Sequence, residues 1–248
     1  MARKIAVTLR KGGSGKTTTA INLATALHQR GERALLIDLD PQANATLAVG
    51  IDPLALTKHV DQLFTRIDTE PREVVTQAPF GLPVLPSHPD LARTEAGMKA
   101  TQVGMLRGLL EALEASYDVI IIDTPPSESY LTVNALAAAD EVIIPLQAHY
   151  LAMQGLAQAL TQVDQVRHGL NPKLHVAGIL PVMVNARTKI SRLVLEEVAR
   201  SYPEILYPIS IDFSVKHIEA SLAGEPIVVL DPDHQGAVAY QQLAERFR

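Results

Sequence analysis

Residues 9–19 read LRKGGSGKTTT. A phosphate-binding loop of the ordinary kind has the form G-x-x-x-x-G-K-[ST]. Gly15, Lys16 and Thr17 fit the end of that form, but Arg10 stands where its first glycine belongs, and a second lysine, Lys11, follows. The flanks show what kind of turn this is. An apolar run, Ile5–Thr8, precedes it. An amphipathic stretch, Thr17–His28, follows, with Ala20, Ile21, Ala24 and Leu27 on one face. Strand, glycine-rich loop and helix in that order aim backbone N–H groups and a helix N-terminus at one point, which suits an anion. Lys16 is expected to reach the β- and γ-phosphates of a nucleotide, the Thr17 hydroxyl to ligate Mg2+, and Thr18 to hold the α-phosphate.

The alternation continues along the chain. Apolar runs at Ala34–Ile37, Val119–Ile122, Val142–Ile144, Val176–Val184 and Ile227–Val229 are separated by longer helical patterns, and Leu82–Leu85 is a further candidate strand. This order predicts an α/β fold, a mostly parallel twisted sheet with helices on both faces. The Pro-containing stretch from Asp52 to Pro89 reads as helices and loops inserted between strands, so residues 1–248 are expected to form a single domain.

Composition narrows the chemistry. Aromatic residues make up 4% and Trp is absent, so the core must be built from Ala, Val, Ile and Leu. The absence of cysteine excludes disulfides, thiolate metal sites and cysteine nucleophiles. Arg3 and Lys4 run directly into a strand, with no apolar signal segment, and no run reaches membrane-spanning length. With 22 Lys+Arg against 27 Asp+Glu, the net charge is −5, so nucleic acid could be held only by a local basic patch.

Two further segments supply carboxylates. In ALLIDLDPQAN, residues 34–44, a buried strand ends at Asp38 and Asp40 follows. In VIIIDTPPS, residues 119–127, an apolar strand ends at Asp123, the pattern of a carboxylate that holds Mg2+ directly or through water. Ligands of open parallel sheets sit at the carboxyl ends of strands, which is where these acids fall.

RKGGSGKT resembles the deviant Walker A motif, [KR]-G-G-x-x-K-[ST], of the ParA/MinD superfamily of P-loop ATPases. KGGSGKTTTAINLATAL, LLIDLDPQANAT, DVIIIDTPPS, LTVNALAAADEVIIPLQ, HYLAMQGL and GEPIVVLDP follow in the order and spacing of its ParA (Soj-like) branch. The resemblance implies ATP and Mg2+ as cofactors, with Lys11, Gly12, Gly13, Ser14, Gly15, Lys16, Thr17 and Thr18 around the phosphates. It also implies that Lys11 crosses a homodimer interface to the partner's nucleotide. Asp40 would place the attacking water, Asp38 would lie near Mg2+ and that water, and Asp123–Ser127 would sense the γ-phosphate.

The chain departs from the family at several points. His149, before Tyr150, stands where many relatives have Glu; Ile211-Asp212-Phe213-Ser214 replaces an I-P-R-N segment near the adenine; Asn185-Ala186-Arg187 replaces D-x-R. Asp212 or Ser214 is left to contact the base, and His149 receives no role.

What the switch acts on is read from its surface. Arg187, Lys189 and Arg192 cluster at the start of a helix whose Ile190, Leu193, Val194 and Val198 are expected to face inward, and Lys216 lies beside His217. In ParA-like relatives, basic residues of these two regions bind DNA backbone without sequence preference. The end, AVAYQQLAERFR, lacks the basic amphipathic face of a membrane anchor, and its Val238, Leu243 and Phe247 are expected to dock on the core. Ten residues before Lys11 leave no room for a helix-turn-helix module. The expectation is a cytoplasmic, nucleoid-associated ATPase that partitions a plasmid or chromosome with a ParB-type adaptor. The same switch distributing carboxysomes or chemotaxis clusters is the alternative, ahead of a MinD-like membrane regulator.

Overall fold

The computed structural model describes residues 1–66, 68–149, 151–185 and 187–247. Eight strands form one sheet: β1 Arg3–Val7, β2 Ala34–Asp38, β3 Thr76–Gln77, β4 Pro83–Leu85, β5 Val119–Asp123, β6 Glu141–Gln147, β7 His175–Val184 and β8 Ile211–Asp212. Their spatial order is β3-β4-β2-β5-β1-β6-β7-β8, and every pair is parallel except the edge pair β3·β4. The expected α/β architecture is therefore present, and the Leu82–Leu85 candidate is β4.

The helices are α1 Lys16–Gln29, α2 Asn44–Ala48, α3 Asp61–Thr65, α4 Pro71–Val74, α5 Leu91–Gly97, α6 Met105–Glu111, α7 Tyr130–Ala138, α8 Ala152–Gly169, α9 Lys189–Ser201, α10 Lys216–Ala223, α11 Ile227–Leu230 and α12 Gln235–Ala244. Strand side chains alternate between the two faces of the sheet, and a third cluster gathers Ala6, Val142, Ile144 and Ile179 with Leu156 and Val163 of α8. Ile5, Val7, Leu36 and Ile121 join Ile21, Leu27, Ile227 and Tyr240 of α1, α11 and α12 on one face. Leu35, Ile37, Ile120 and Ile122 meet Leu91, Leu106, Leu110 and Leu131 on the other. Both faces are covered, so the central strands read as unbroken apolar runs. Full burial of a Leu or Ile side chain contributes about 1.5–3 kcal/mol, and α1 alone buries Ile21, Leu23 and Leu27.

Some expected packing is corrected. Ile227–Val229 is not a strand: Pro226 opens α11, and its short run packs on α1, where Asn22 Oδ1 accepts the Val228 N–H at 3.3 Å and Gln29 Nε2 donates to the Val228 carbonyl at 3.2 Å. A short apolar run carries no period that distinguishes the two. On α9, Val194 and Val198 are buried, but Ile190 and Leu193 point outward at 45% and 50% exposure. The inward face turns instead through Ser191, whose Oγ donates to the Ala148 carbonyl at 3.2 Å. At the end of the chain Leu243 and Phe247 dock on the core as expected, and the Arg3 guanidinium lies 4.8 Å from the Phe247 ring centroid; Val238 stays exposed.

Candidate nucleotide-binding site

β1 is the centre of the site because it is flanked by β5 on one side and β6 on the other, with β2 beyond β5. The carboxyl ends of β1, β2 and β5 deliver the glycine loop, Asp38 and Asp123 to one rim. Gly13 and Gly15 take positive φ, 66° and 80°, which turns the loop back over α1. A Cβ at Gly15 would also lie 3.2 Å from Val182 Cγ2, so that position is closed to larger residues twice over.

Lys16 is buried under the loop, and its Nζ donates to the Lys11 carbonyl at 3.0 Å; Ser14 Oγ donates to the same oxygen at 2.9 Å. Burial lowers the Lys16 pKa, while Asp123 and Asp40 hold it up. The Lys11 side chain leaves its own loop. It is exposed, and its Nζ contacts Gln147 Oε1 at 3.4 Å and His149 Nε2, beyond β6. Arg10 pairs with Glu128 at 2.8 Å, which links the glycine loop to the segment after Asp123.

The two strand-end acids differ. Asp38 is fully buried and has three donors: the Asp40 N–H at 3.0 Å, the Thr46 N–H at 2.8 Å and the Thr46 hydroxyl at 2.8 Å. Burial pushes its pKa up to about 6 against those hydrogen bonds. Its oxygens shape the loop that carries Asp40. Asp123 is also fully buried, yet neither oxygen has a hydrogen-bond partner. Burial, then the nearby Asp38 charge, raise its pKa well above the carboxylate range, and Thr17 and Lys16 pull the other way. Two buried carboxylate oxygens facing Thr17 with nothing bound to them are suited to a hard cation such as Mg2+.

Asp40 is 7% exposed, and burial raises its pKa too. Its carbonyl accepts from Ser87 Oγ at 2.7 Å, and the Ser87 N–H donates to Thr46 Oγ1 at 2.9 Å. Thr46 and Ser87 thus brace both acids. Thr46 closes the LLIDLDPQANAT stretch, where it was given no role, and Ser87 lies in no motif because its partners are 41 and 47 residues away in sequence. Ala43, just beyond Asp40, takes φ 53°, a strained left-handed value for a non-glycine residue.

Beside the loop lies a cavity of about 240 Å3 lined by Gly15, Thr18, Ile211, Asp212, Ser214 and Tyr240 among others. Asp212 and Ser214 thus line the same cavity as Gly15 and Thr18 of the glycine loop. His234 Nδ1 accepts the Gly236 N–H at 3.0 Å, so the ring proton sits on Nε2 and is donated to Ser214 Oγ at 3.2 Å. The Lys216 N–H also reaches that oxygen at 3.2 Å, which leaves the Ser214 hydroxyl proton as a donor.

Comparison with known proteins places this geometry. An AAA-domain family model matches residues 2–176. The chain is 41% identical to the chromosome-partitioning ATPase Soj of Thermus thermophilus, over 98% of this chain and 94% of that one. It is 39% identical to the sporulation initiation inhibitor protein Soj of Bacillus subtilis, over 99% and 98%. The chain belongs to the ParA branch of the ParA/MinD superfamily of ATPases. Among solved structures, cobyrinic acid a,c-diamide synthase from Mycobacterium smegmatis with bound ADP and magnesium superposes with TM-score 0.85 at 38% identity, covering 99% of this chain and 93% of that one.

The basic residues of this ParA-family chain lie at the same end of the sheet. β7 and β8 are parallel neighbours, and the Phe213 N–H continues the ladder to the Val184 carbonyl at 3.0 Å. The segments leaving them carry Arg187, Lys189 and Arg192 on one side and Lys216 on the other, all exposed. Among the described residues, no ion pair involves Arg187, Lys189 or Arg192, whereas Lys216 Nζ pairs with Glu219 at 2.9 Å. Ala186 and Tyr150, which fall in two of the segments that depart from the family pattern, lie outside the described residues. Among those described, no helix is long and apolar enough to cross a membrane.

Proposed function

We propose that this ATPase is a dimerisation switch. With ATP bound, two chains associate, bind DNA without sequence preference and position a plasmid or chromosome; a ParB-type adaptor stimulates hydrolysis and releases them. The whole chain acts as one ATPase domain, in the cytoplasm and on the nucleoid. The observation that carries this reading is the division of labour between two lysines of one loop. Lys16 is buried beneath the loop, while the Lys11 ammonium reaches away from it, across to Gln147 and His149.

ATP with Mg2+ is the nucleotide. Thr17 and Asp123 would hold the ion, with Asp38 behind them, and the bound ion would neutralise phosphate charge. Lys16, Gly12, Gly13, Ser14, Gly15 and Thr18 cradle the phosphates, and Asp212 and Ser214 flank the base. Asp40 positions water for attack on the γ-phosphate. Lys11 serves the partner's nucleotide, a compact charge on a long stem stabilising the transferring phosphoryl group. Arg187, Lys189, Arg192 and Lys216 contact DNA phosphates, and two copies per dimer make that binding depend on ATP.

The test is ATPase rate and molecular mass with and without double-stranded DNA across a salt series. The proposal expects Mg-ATP to double the mass, and DNA binding to appear with it and to weaken steeply as salt rises. Turnover that ignores DNA but requires cobyrinic acid would replace this reading with the activity named for the structural neighbour.

A further inference from the structure

We infer that His59, His88 and Asp90 form a site for a transition-metal cation of the zinc type, separate from the nucleotide site. His59 precedes α3, and His88 and Asp90 lie between β4 and α5. The two segments are joined where the Val60 N–H donates to the Pro86 carbonyl at 2.8 Å. One donor atom from each residue lies within 4.8 Å of the other two.

His59 points to a ligand. It is 7% exposed, and its Nδ1 is buried without a hydrogen-bond partner. Leaving such a nitrogen unpaired is costly, so the fold holds an uncommitted nitrogen donor there. His88 Nδ1 lies 3.3 Å from an Asp90 carboxylate oxygen. Two donors on a tetrahedral zinc ion, each bound at about 2.0–2.1 Å, stand about 3.3 Å apart, so this pair already has the required spacing. The Asp90 N–H now donates to His88 Nδ1 at 3.1 Å, a bond the cation would replace.

The His59 and His88 rings stack with centroids 4.2 Å apart and planes at 17°. Stacked rings send their in-plane lone pairs side by side. Turning His59 about its χ2 torsion, which is broad for imidazole, brings its nitrogen toward the pair. The Asp90 side chain is half exposed at 48%, which admits water as a fourth ligand. Two imidazoles, a carboxylate and water suit Zn2+, Co2+ or Ni2+; Mg2+ prefers oxygen ligands throughout and does not compete.

The location gives the site a consequence. Ser87, adjacent to His88, is the residue that braces the Asp40 carbonyl and the Thr46 hydroxyl. A cation that fixes His88 therefore restrains the loop carrying Asp40.

The test titrates the nucleotide-free full-length chain with zinc chloride in excess Mg2+ by calorimetry, with Co2+ absorption as a second readout. The variants are Asp90→Ala and His59→Gln. The wild type is expected to take up about one zinc per chain, to gain thermal stability from it, and to give the visible band of four-coordinate Co2+. Asp90→Ala, at a half-exposed side chain, is expected to fold as wild type, checked by thermal melting, and to bind zinc about tenfold more weakly or worse. His59→Gln is expected to abolish binding. Absence of a saturable zinc site overturns the inference. So does equal affinity in wild type and Asp90→Ala, which would locate the zinc at surface histidines such as His168 or His175.

Discussion

Asp38 and Asp123 stand directly opposite each other at the carboxyl ends of β2 and β5, and one has three hydrogen-bond donors while the other has none. Both are fully buried. The first is finished as a structural element. The second keeps both oxygens without a donor, with Thr17 near enough to pull its pKa down against burial. An acidic pair with one member left open is the feature on which the proposed Mg2+ role of Asp123 rests.

Asp123→Asn separates these roles. It replaces a buried carboxyl that has no hydrogen-bond donor and whose ionised form burial penalises, so the nucleotide-free protein is expected to be at least as stable as wild type. The same change is expected to remove most of the stabilisation by Mg-ADP and to lower ATP turnover by about a hundredfold, the scale of losing a directly placed electrostatic group. Thermal melting with and without Mg-ADP, beside a turnover assay, reads both halves.

The carboxylates also set a pH dependence. Asp38 has a pKa raised from 3.8 to about 6 by burial, so the folded state binds more protons than the unfolded state in that window. Stability from this group is present below pH 3.8 and is lost as pH rises through about 6. Asp123 is shifted in the same direction, by burial first. Mg2+ needs the ionised form, so protons compete with it. The rise in melting temperature on adding Mg-ADP is expected to shrink as pH falls from about 7.5 to about 5. A constant rise across that range would refute the argument.

Lys11 rests on an imperfect partner. His149 Nδ1 accepts the Leu151 N–H at 3.0 Å, while Lys11 approaches Nε2. A neutral imidazole has only one acceptor nitrogen, so it cannot satisfy both donors. Burial, and then Lys11, lower the His149 pKa. By linkage, protonating His149 expels the ammonium. His149→Glu is expected to hold Lys11 more tightly to its own chain and to slow ATP-dependent association. Stopped-flow light scattering with Mg-ATP measures this, and unchanged association would show that the resting contact is inconsequential.

The basic surface predicts graded effects. Arg192→Ala is expected to weaken DNA binding uniformly across sequences and to reduce the salt slope by about 0.9. Lys216→Ala is expected to cost less, because Glu219 already pairs with that ammonium and the gain on DNA is net of that pair. Fluorescence anisotropy on two unrelated duplexes at several salt concentrations distinguishes the two.

Much of this was legible in the chain. Glycine-rich loop, Lys16, Thr17, Asp38 and Asp123 all follow strand runs whose apolar residues are continuous, and a parallel sheet aligns such runs at their carboxyl ends. The α11 run was not legible, because Ile227–Val229 has no period and its partners, Asn22 and Gln29, stand 206 and 199 residues away from Val228 in sequence. The outward turn of Ile190 and Leu193 follows from Ser191 reaching Ala148, a contact no helical wheel contains. Thr46 and Ser87 were missed for the same reason. Ser87 acts on Asp40 and Thr46 from a segment that only the sheet order brings near, and Thr46 reaches back eight residues to Asp38 from a helix whose sequence gives no sign of that bond.

The central claim is that Lys11 completes a neighbour's nucleotide site. Sedimentation of the Asp40→Ala chain with Mg-ATP, beside the Asp40→Ala/Lys11→Ala double variant, tests it most directly, with nucleotide binding measured on both. The account predicts that both bind ATP and that only the first becomes a dimer. A double variant that dimerises to the same extent at the same concentration would contradict it.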